Sequence, residues 1–111
     1  MLPADSRLRK TADISTTLRR GKRLASPLLV LHVDSGPDAH TRFAFAVGKN
    51  VGNSVERHRL TRQLRHLAQQ STQNFPVGSW VVVRALPKSK DASFLELSKS
   101  FAAAVAKVDE L

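Results

Sequence analysis

Apolar residues recur along this chain with several different spacings, and each spacing predicts an element. Ile14 and Leu18 stand four apart behind Thr11, which predicts a short helix capped by Thr11 and running to about Arg20, with both side chains on its buried side. Gly21 follows where a helix often ends in a left-handed residue. Leu24 to Val33 reads as one extended stretch, in which Pro27 marks an edge position or an irregular start. After the turn cluster Ser35-Gly36-Pro37-Asp38, the strand pattern resumes from Arg42 to Val47, and the two strands are expected to pair as an antiparallel hairpin.

Asn53 followed three residues later by Glu56 resembles a capping box and opens a second helix to about Gln70. At about 100° per residue, Leu60, Leu64, Leu67 and Ala68 form its apolar stripe. The consecutive valines between Trp80 and Leu86 predict a buried central strand, which Pro87 to Lys90 breaks. Ser93 with Glu96 caps a last helix, along which Phe94, Leu97, Phe101, Val105 and Val108 recur at helical spacing as core.

The expected order is helix, strand, strand, helix, strand, helix: an α+β protein, a two-layer sandwich of helices on a small sheet. The strand–helix–strand passage around the second helix would cross over right-handed by the general rule. Residues 1–111 show one composition regime and are read as a single domain. With 41% hydrophobic residues, such a domain can bury a core of its own.

Charge then narrows the partners. Eighteen Lys and Arg against nine Asp and Glu leave a net charge of +9, which favours a polyanion. Between Arg57 and His66 no acidic residue interrupts Arg57, His58, Arg59, Arg62, Arg65 and His66. All but Arg57, which projects near the apolar border, gather opposite the apolar stripe. Like charges three or four apart destabilise a helix by a few tenths of a kcal/mol each, roughly, and phosphates reverse that sign. Arginine suits phosphate because its planar fork grips two oxygens at once. The plainer reading of this helix, a solvated basic face without a ligand, is weakened by a second basic group: Arg7, Arg9, Lys10, Arg19, Arg20, Lys22 and Arg23. Two basic regions imply one long RNA track or two separate contacts.

Phe43 and Phe45 share one face of their strand and either stack on exposed bases or belong to the core, the commoner fate of large apolar side chains. Trp80, at a strand entrance, is assigned to neither. Cysteine is absent, which removes disulfides, thiol nucleophiles and Cys-based zinc sites. No apolar stretch at the N-terminus resembles a secretory signal, and no run approaches the ~20 residues of a membrane span, so a soluble cytoplasmic protein is expected. Scattered carboxylates exclude two-metal nuclease chemistry, the four histidines follow no metal-ligand spacing, and no Walker-type glycine loop is present. These residues describe a binder.

The run Lys49-x-Val51-Gly52-Asn53-Ser54-Val55-x-Arg57-His58-Arg59-Leu60-x-Arg62-x-Leu64-Arg65 resembles the signature of the bacterial ribonuclease P protein family. Leu8-Arg9-Lys10 with Asp13-Ile14, Arg19-Arg20-Gly21-Lys22-Arg23 and Val81-Val82-Val83-Arg84-Ala85 extend the resemblance over nearly the whole chain. His58 replaces the usual asparagine of the motif, Thr61 a lysine, Asn50 a second lysine, Ser54 an alanine, and Ile14 a frequent phenylalanine.

The resemblance implies a protein subunit that joins a catalytic RNA in the endonucleolytic removal of the 5′ leader from precursor tRNA. It implies Mg2+ held mainly by the RNA subunit, no catalytic residue or metal ligand on the protein, and no membrane or obligate protein partner. It also implies a left-handed crossover, and a fold like a domain of a ribosomal protein and an elongation factor. By position, Lys49, Asn53, Arg57, His58, Arg59, Arg62 and Arg65 are candidates for contact with the catalytic RNA. Arg9, Lys10, Ile14, Leu18, Arg20, Lys22, Phe43 and Phe45 are candidates for a groove that takes the single-stranded leader. The rivals are a structural, ribosomal-type RNA-binding protein without a role in cleavage and, lower in rank, a DNA-binding protein or an autonomous nuclease. DNA reading is disfavoured because strands, not a turn and helix, precede the basic helix.

Overall fold

The computed structural model describes residues 6–110. Helix α1 (Thr11–Arg20) leads into β1 (Lys22–Ala25), β2 (Leu29–Ser35) and β3 (Arg42–Ala46). Helix α2 (Ser54–Ser71), β4 (Ser79–Ala85) and α3 (Phe94–Ala106) complete the fold, with a short 3-10 turn at Pro87–Asp91 between the last two. The four strands form one sheet in the order β1-β2-β4-β3.

The α+β class expected from the sequence holds, but the strand count and the first hairpin are corrected. Leu24 to Val33 is two strands, β1 and β2, paired antiparallel with Leu24 opposite Leu31. Pro27 has no N–H to continue a ladder. The chain turns there, with the Ser26 N–H donating to the Leu29 carbonyl at 2.9 Å. Ser100 of α3 pins this turn: the Leu28 N–H donates to its Oγ at 3.0 Å, and the Ser26 and Ser100 hydroxyls lie 2.6 Å apart.

The Arg42–Ala46 strand does not pair with β2 at all. Strand β4 lies between them, antiparallel to β2 and parallel to β3. The reason is burial: Val81, Val82 and Val83 are fully enclosed, and only a central strand is covered on both faces and both edges. β3 and β4 are thus adjacent parallel strands joined through α2, a βαβ unit.

Alternation along β4 sorts the core. Val81, Val83 and Ala85 point to the side where Leu60, Leu64, Leu67, Leu97, Phe101 and Ala104 of α2 and α3 pack with Phe43, Leu29 and Leu31. Val82 points the other way, into a smaller cluster with Leu8 and Ala44, against which Ile14, Leu18, Ala46 and Trp80 pack. The two-layer sandwich is therefore the sheet with α2 and α3, and α1 lies across the opposite face.

Both predicted capping boxes form. The Glu56 N–H donates to Asn53 Oδ1 and the Asn53 N–H to Glu56 Oε1, each at 2.9 Å. Ser93 and Glu96 make the same exchange at the start of α3. Thr11 is not a cap. It is the first helical residue, and Lys10 precedes it without a side-chain cap. Gly21 ends α1 in an extended conformation, not a left-handed one. Glycine is needed there for space, since a Cβ would stand 2.5 Å from the Thr17 carbonyl oxygen.

Candidate nucleic-acid interface

The motif helix is positioned by the four residues before it. Val51 is buried and anchors the loop to the core, and its N–H donates to the Gly48 carbonyl at 3.0 Å to close a turn. A Cβ on Gly52 would meet Glu56 Oε1 at 2.7 Å, so glycine leaves room for the glutamate that folds back onto the Asn53 N–H. Val-Gly-Asn followed by Glu is therefore a device that starts α2 at a fixed place on the sheet. Asn53, a candidate RNA contact, has its amide oxygen committed to that device, while Lys49 stands exposed in the loop.

Beyond the cap the basic residues separate. His58, Arg62 and Arg65, with Ser54, Val55 and Thr61, line a shallow open depression along one side of α2. Among the described residues, none of His58, Arg62 and Arg65 has a carboxylate within 4 Å, and those lining the depression are all neutral or basic. Arg57 is half-buried beside it, and its buried Nε has no partner among the described residues. Arg59 and His66 lie past the exposed crest of the helix. The Arg59 guanidinium donates to the Lys90 carbonyl at 3.2 Å, and the His66 ring sits 6.1 Å from that of Phe94.

The leader candidates divide between the two faces of the sheet. Ile14 and Leu18 are half-buried on the sheet side of α1, as a groove requires. Arg9 and Lys10 are exposed and line a second open depression with Arg7, Asp13, Asp38, Arg42 and Trp80. Arg20 is exposed in the last turn of α1. Phe43 and Phe45 do not line this side. Phe43 is 1% exposed and meets Phe75 edge-on with ring centroids 5.5 Å apart, within the core under α2 and α3. Phe45, opposite Val83, packs against the same core.

Strand alternation accounts for the correction: Phe43 and Phe45 share the face of Val81 and Val83, so the groove side of β3 carries Ala44 and Ala46 instead. Lys22 is corrected likewise. It stands opposite Val33 on the α2/α3 side, and its neighbour Arg23, opposite His32, faces α1.

Arg23, His32, Arg84, Arg42 and Trp80 are groove-side residues that sequence reasoning did not assign to the groove. Their signal was the period of two in β1, β2, β3 and β4, readable only once the pairing partners are known. His32 is buried, and its Nε2 accepts from Arg84 Nε at 3.4 Å. Burial, then the charges of Arg84 and Arg23, hold its imidazole pKa below the ordinary value. The neutral ring therefore carries its proton on Nδ1, which is buried without a partner among the described residues. Asp38 shapes the rim. Its carboxylate accepts from the His40 N–H at 2.9 Å, the main cause of its lowered pKa, and from Arg42 at 3.4 Å.

Among the described residues, no three His, Asp or Glu side chains come together as a metal ligand set, and no helix is long and apolar enough to cross a membrane.

Comparison with known proteins shows the family to which the chain belongs. The Ribonuclease P family model matches residues 2–109. The ribonuclease P protein component of Streptomyces avermitilis is 44% identical over 114 residues, covering 95% of this chain and 93% of its own. That of Corynebacterium diphtheriae is 40% identical over 116 residues, with 98% of both chains covered. Among solved structures, the Staphylococcus aureus RNase P protein superposes with a TM-score of 0.84 at 24% identity, covering 93% of this chain and 96% of that one. The Thermotoga maritima RNase P protein gives 0.80 at 20% identity, with 91% and 96% covered. At those identities the structures establish a shared fold. The family model and the closely similar sequences establish kinship, and this chain belongs to the ribonuclease P protein family.

Proposed function

We propose that the chain holds the catalytic RNA of ribonuclease P along α2 and guides the 5′ leader of precursor tRNA along the α1 side of the sheet. His58, Arg62 and Arg65 carry the first contact, with Lys49, Arg57 and Arg59 around them. Arg9, Lys10, Ile14, Leu18 and Arg20 carry the second, joined by Arg23, Arg42 and Arg84. The observation behind this reading is the unneutralised depression on α2, together with the opposite face of the sheet, which α1 covers with small and half-buried residues. Guanidinium groups without internal carboxylate partners bind phosphate without first breaking an ion pair. Bond breaking, and the Mg2+ that supports it, is assigned to the RNA subunit. The protein's own contribution is to position two RNA segments relative to each other.

Purified chain combined with a bacterial ribonuclease P RNA should raise 5′-leader removal above RNA alone, whereas protein alone should be inert. Arg62→Ala with Arg65→Ala should weaken assembly of a still-folded protein. Each lost phosphate contact should flatten the dependence of log affinity on log salt by about 0.7–0.9. Tight binding to ribosomal RNA with no stimulation of cleavage would favour the structural RNA-binding alternative.

A further inference from the structure

Phe94 contradicts its sequence pattern. It keeps the helical spacing of Leu97 and Phe101, yet it is 42% exposed where they are buried. The first turn of α3 puts it beside α2, where its ring is tilted 47° to that of His66. The Ser93–Glu96 capping box fixes the backbone on which Phe94 stands, so the ring is held on a rigid element.

The surroundings carry charges of both signs. Arg59 lies on the same side of α2 as His66, and its bond to the Lys90 carbonyl ties the Pro87–Asp91 turn to that helix. The Lys90 ammonium is paired with Glu56 at 3.9 Å, and Asp91 and Glu96 are the other carboxylates nearby in sequence, whereas the Arg59 guanidinium has no carboxylate partner among the described residues. An exposed aromatic pair beside cations is what an unpaired nucleotide requires: a ring to stack on and charge for its phosphate. A protein partner with an apolar patch would gain less here, since Arg59 and Lys90 would have to be desolvated with it.

We propose that Phe94 and His66, with Arg59 and Lys90 beside them, form a stacking platform for an unpaired nucleotide of the ribonuclease P RNA, separate from the His58/Arg62/Arg65 depression. The platform rests on the reading of α2 as an RNA-binding helix and adds a second contact across its crest. It divides the motif residues into two groups that touch different stretches of RNA.

Affinity of the full chain for ribonuclease P RNA tests this, with thermal unfolding of each variant as the control for folding. Phe94→Ala should weaken binding at least about five-fold, the lower range for losing one base–aromatic stack. Phe94→Leu should lose as much, because it keeps the apolar bulk but not the ring, and Phe94→Trp should retain wild-type affinity. Wild-type binding by Phe94→Leu overturns the platform. So does unchanged RNA affinity in Phe94→Ala together with a change in self-association, which would make this face a contact between copies. If Arg62→Ala with Arg65→Ala weakens binding and the Phe94 variants do not, the platform alone fails. If none of these variants weakens binding, the reading of α2 as RNA-binding fails with it.

Discussion

The two faces of the sheet are built from different materials. Under α2 and α3 the side chains are large and enclosed: Phe43, Leu29, Leu31, Leu64, Leu97 and Phe101 are all nearly or fully inaccessible. Under α1 the buried apolar residues are Leu8, Val30, Ala44 and Val82, with Ile14, Leu18 and Ala46 only half-covered. The same face carries Arg23, His32, Arg84 and Trp80. Thick packing on one side holds the sheet, which leaves the other side free to stay thin, polar and open. In this protein, stability and access are separated by the pleat of a single strand, β4, whose successive valines serve opposite faces.

That contrast is easiest to break from the thick side. Phe101→Ala should cost about 3–5 kcal/mol of stability, as for other buried aromatic truncations, read from the denaturant midpoint. Ile14→Ala, on the thin side, should cost only about 1 kcal/mol because the side chain is half-buried. Its larger effect should be on affinity for precursor tRNA bearing a leader, with little change for mature tRNA. A loss comparable to that of Phe101→Ala would show that the α1 face is a second core and not a groove.

The smallest effect concerns pH. The folded pKa of His32 lies below its unfolded value, so the unfolded chain binds the proton more readily. Stability contributed by the neutral ring is complete above about pH 6.5 and declines as pH falls towards the lower folded pKa. The wild type should therefore lose stability between neutral and mildly acid pH faster than His32→Gln does. Parallel pH profiles for the two proteins would remove His32 as the source.

Much of the candidate site was legible before any fold was known. The arginines of α2 follow from helical period and charge alone, because a helix presents its own faces by internal geometry. The capping boxes were equally readable, each being complete within four residues. Phe43, Phe45 and Lys22 were placed in the groove by resemblance, and strand pairing put them on the other face. Phe94 fits a core pattern in sequence, but as the first residue of α3 it meets His66 of α2 and stays 42% exposed.

What the chain determined by itself is local: where helices start, which stripe of α2 is apolar, where positive charge collects, and that a run of valines must be central. Tertiary structure decided which strand lies beside which, and so the side of the sheet on which every alternate residue falls. The physical reason is that a strand has two equivalent faces until its neighbours are chosen. A single β4 inserted between β2 and β3 turned an expected hairpin into a parallel crossover, and with it settled which arginines look toward α1.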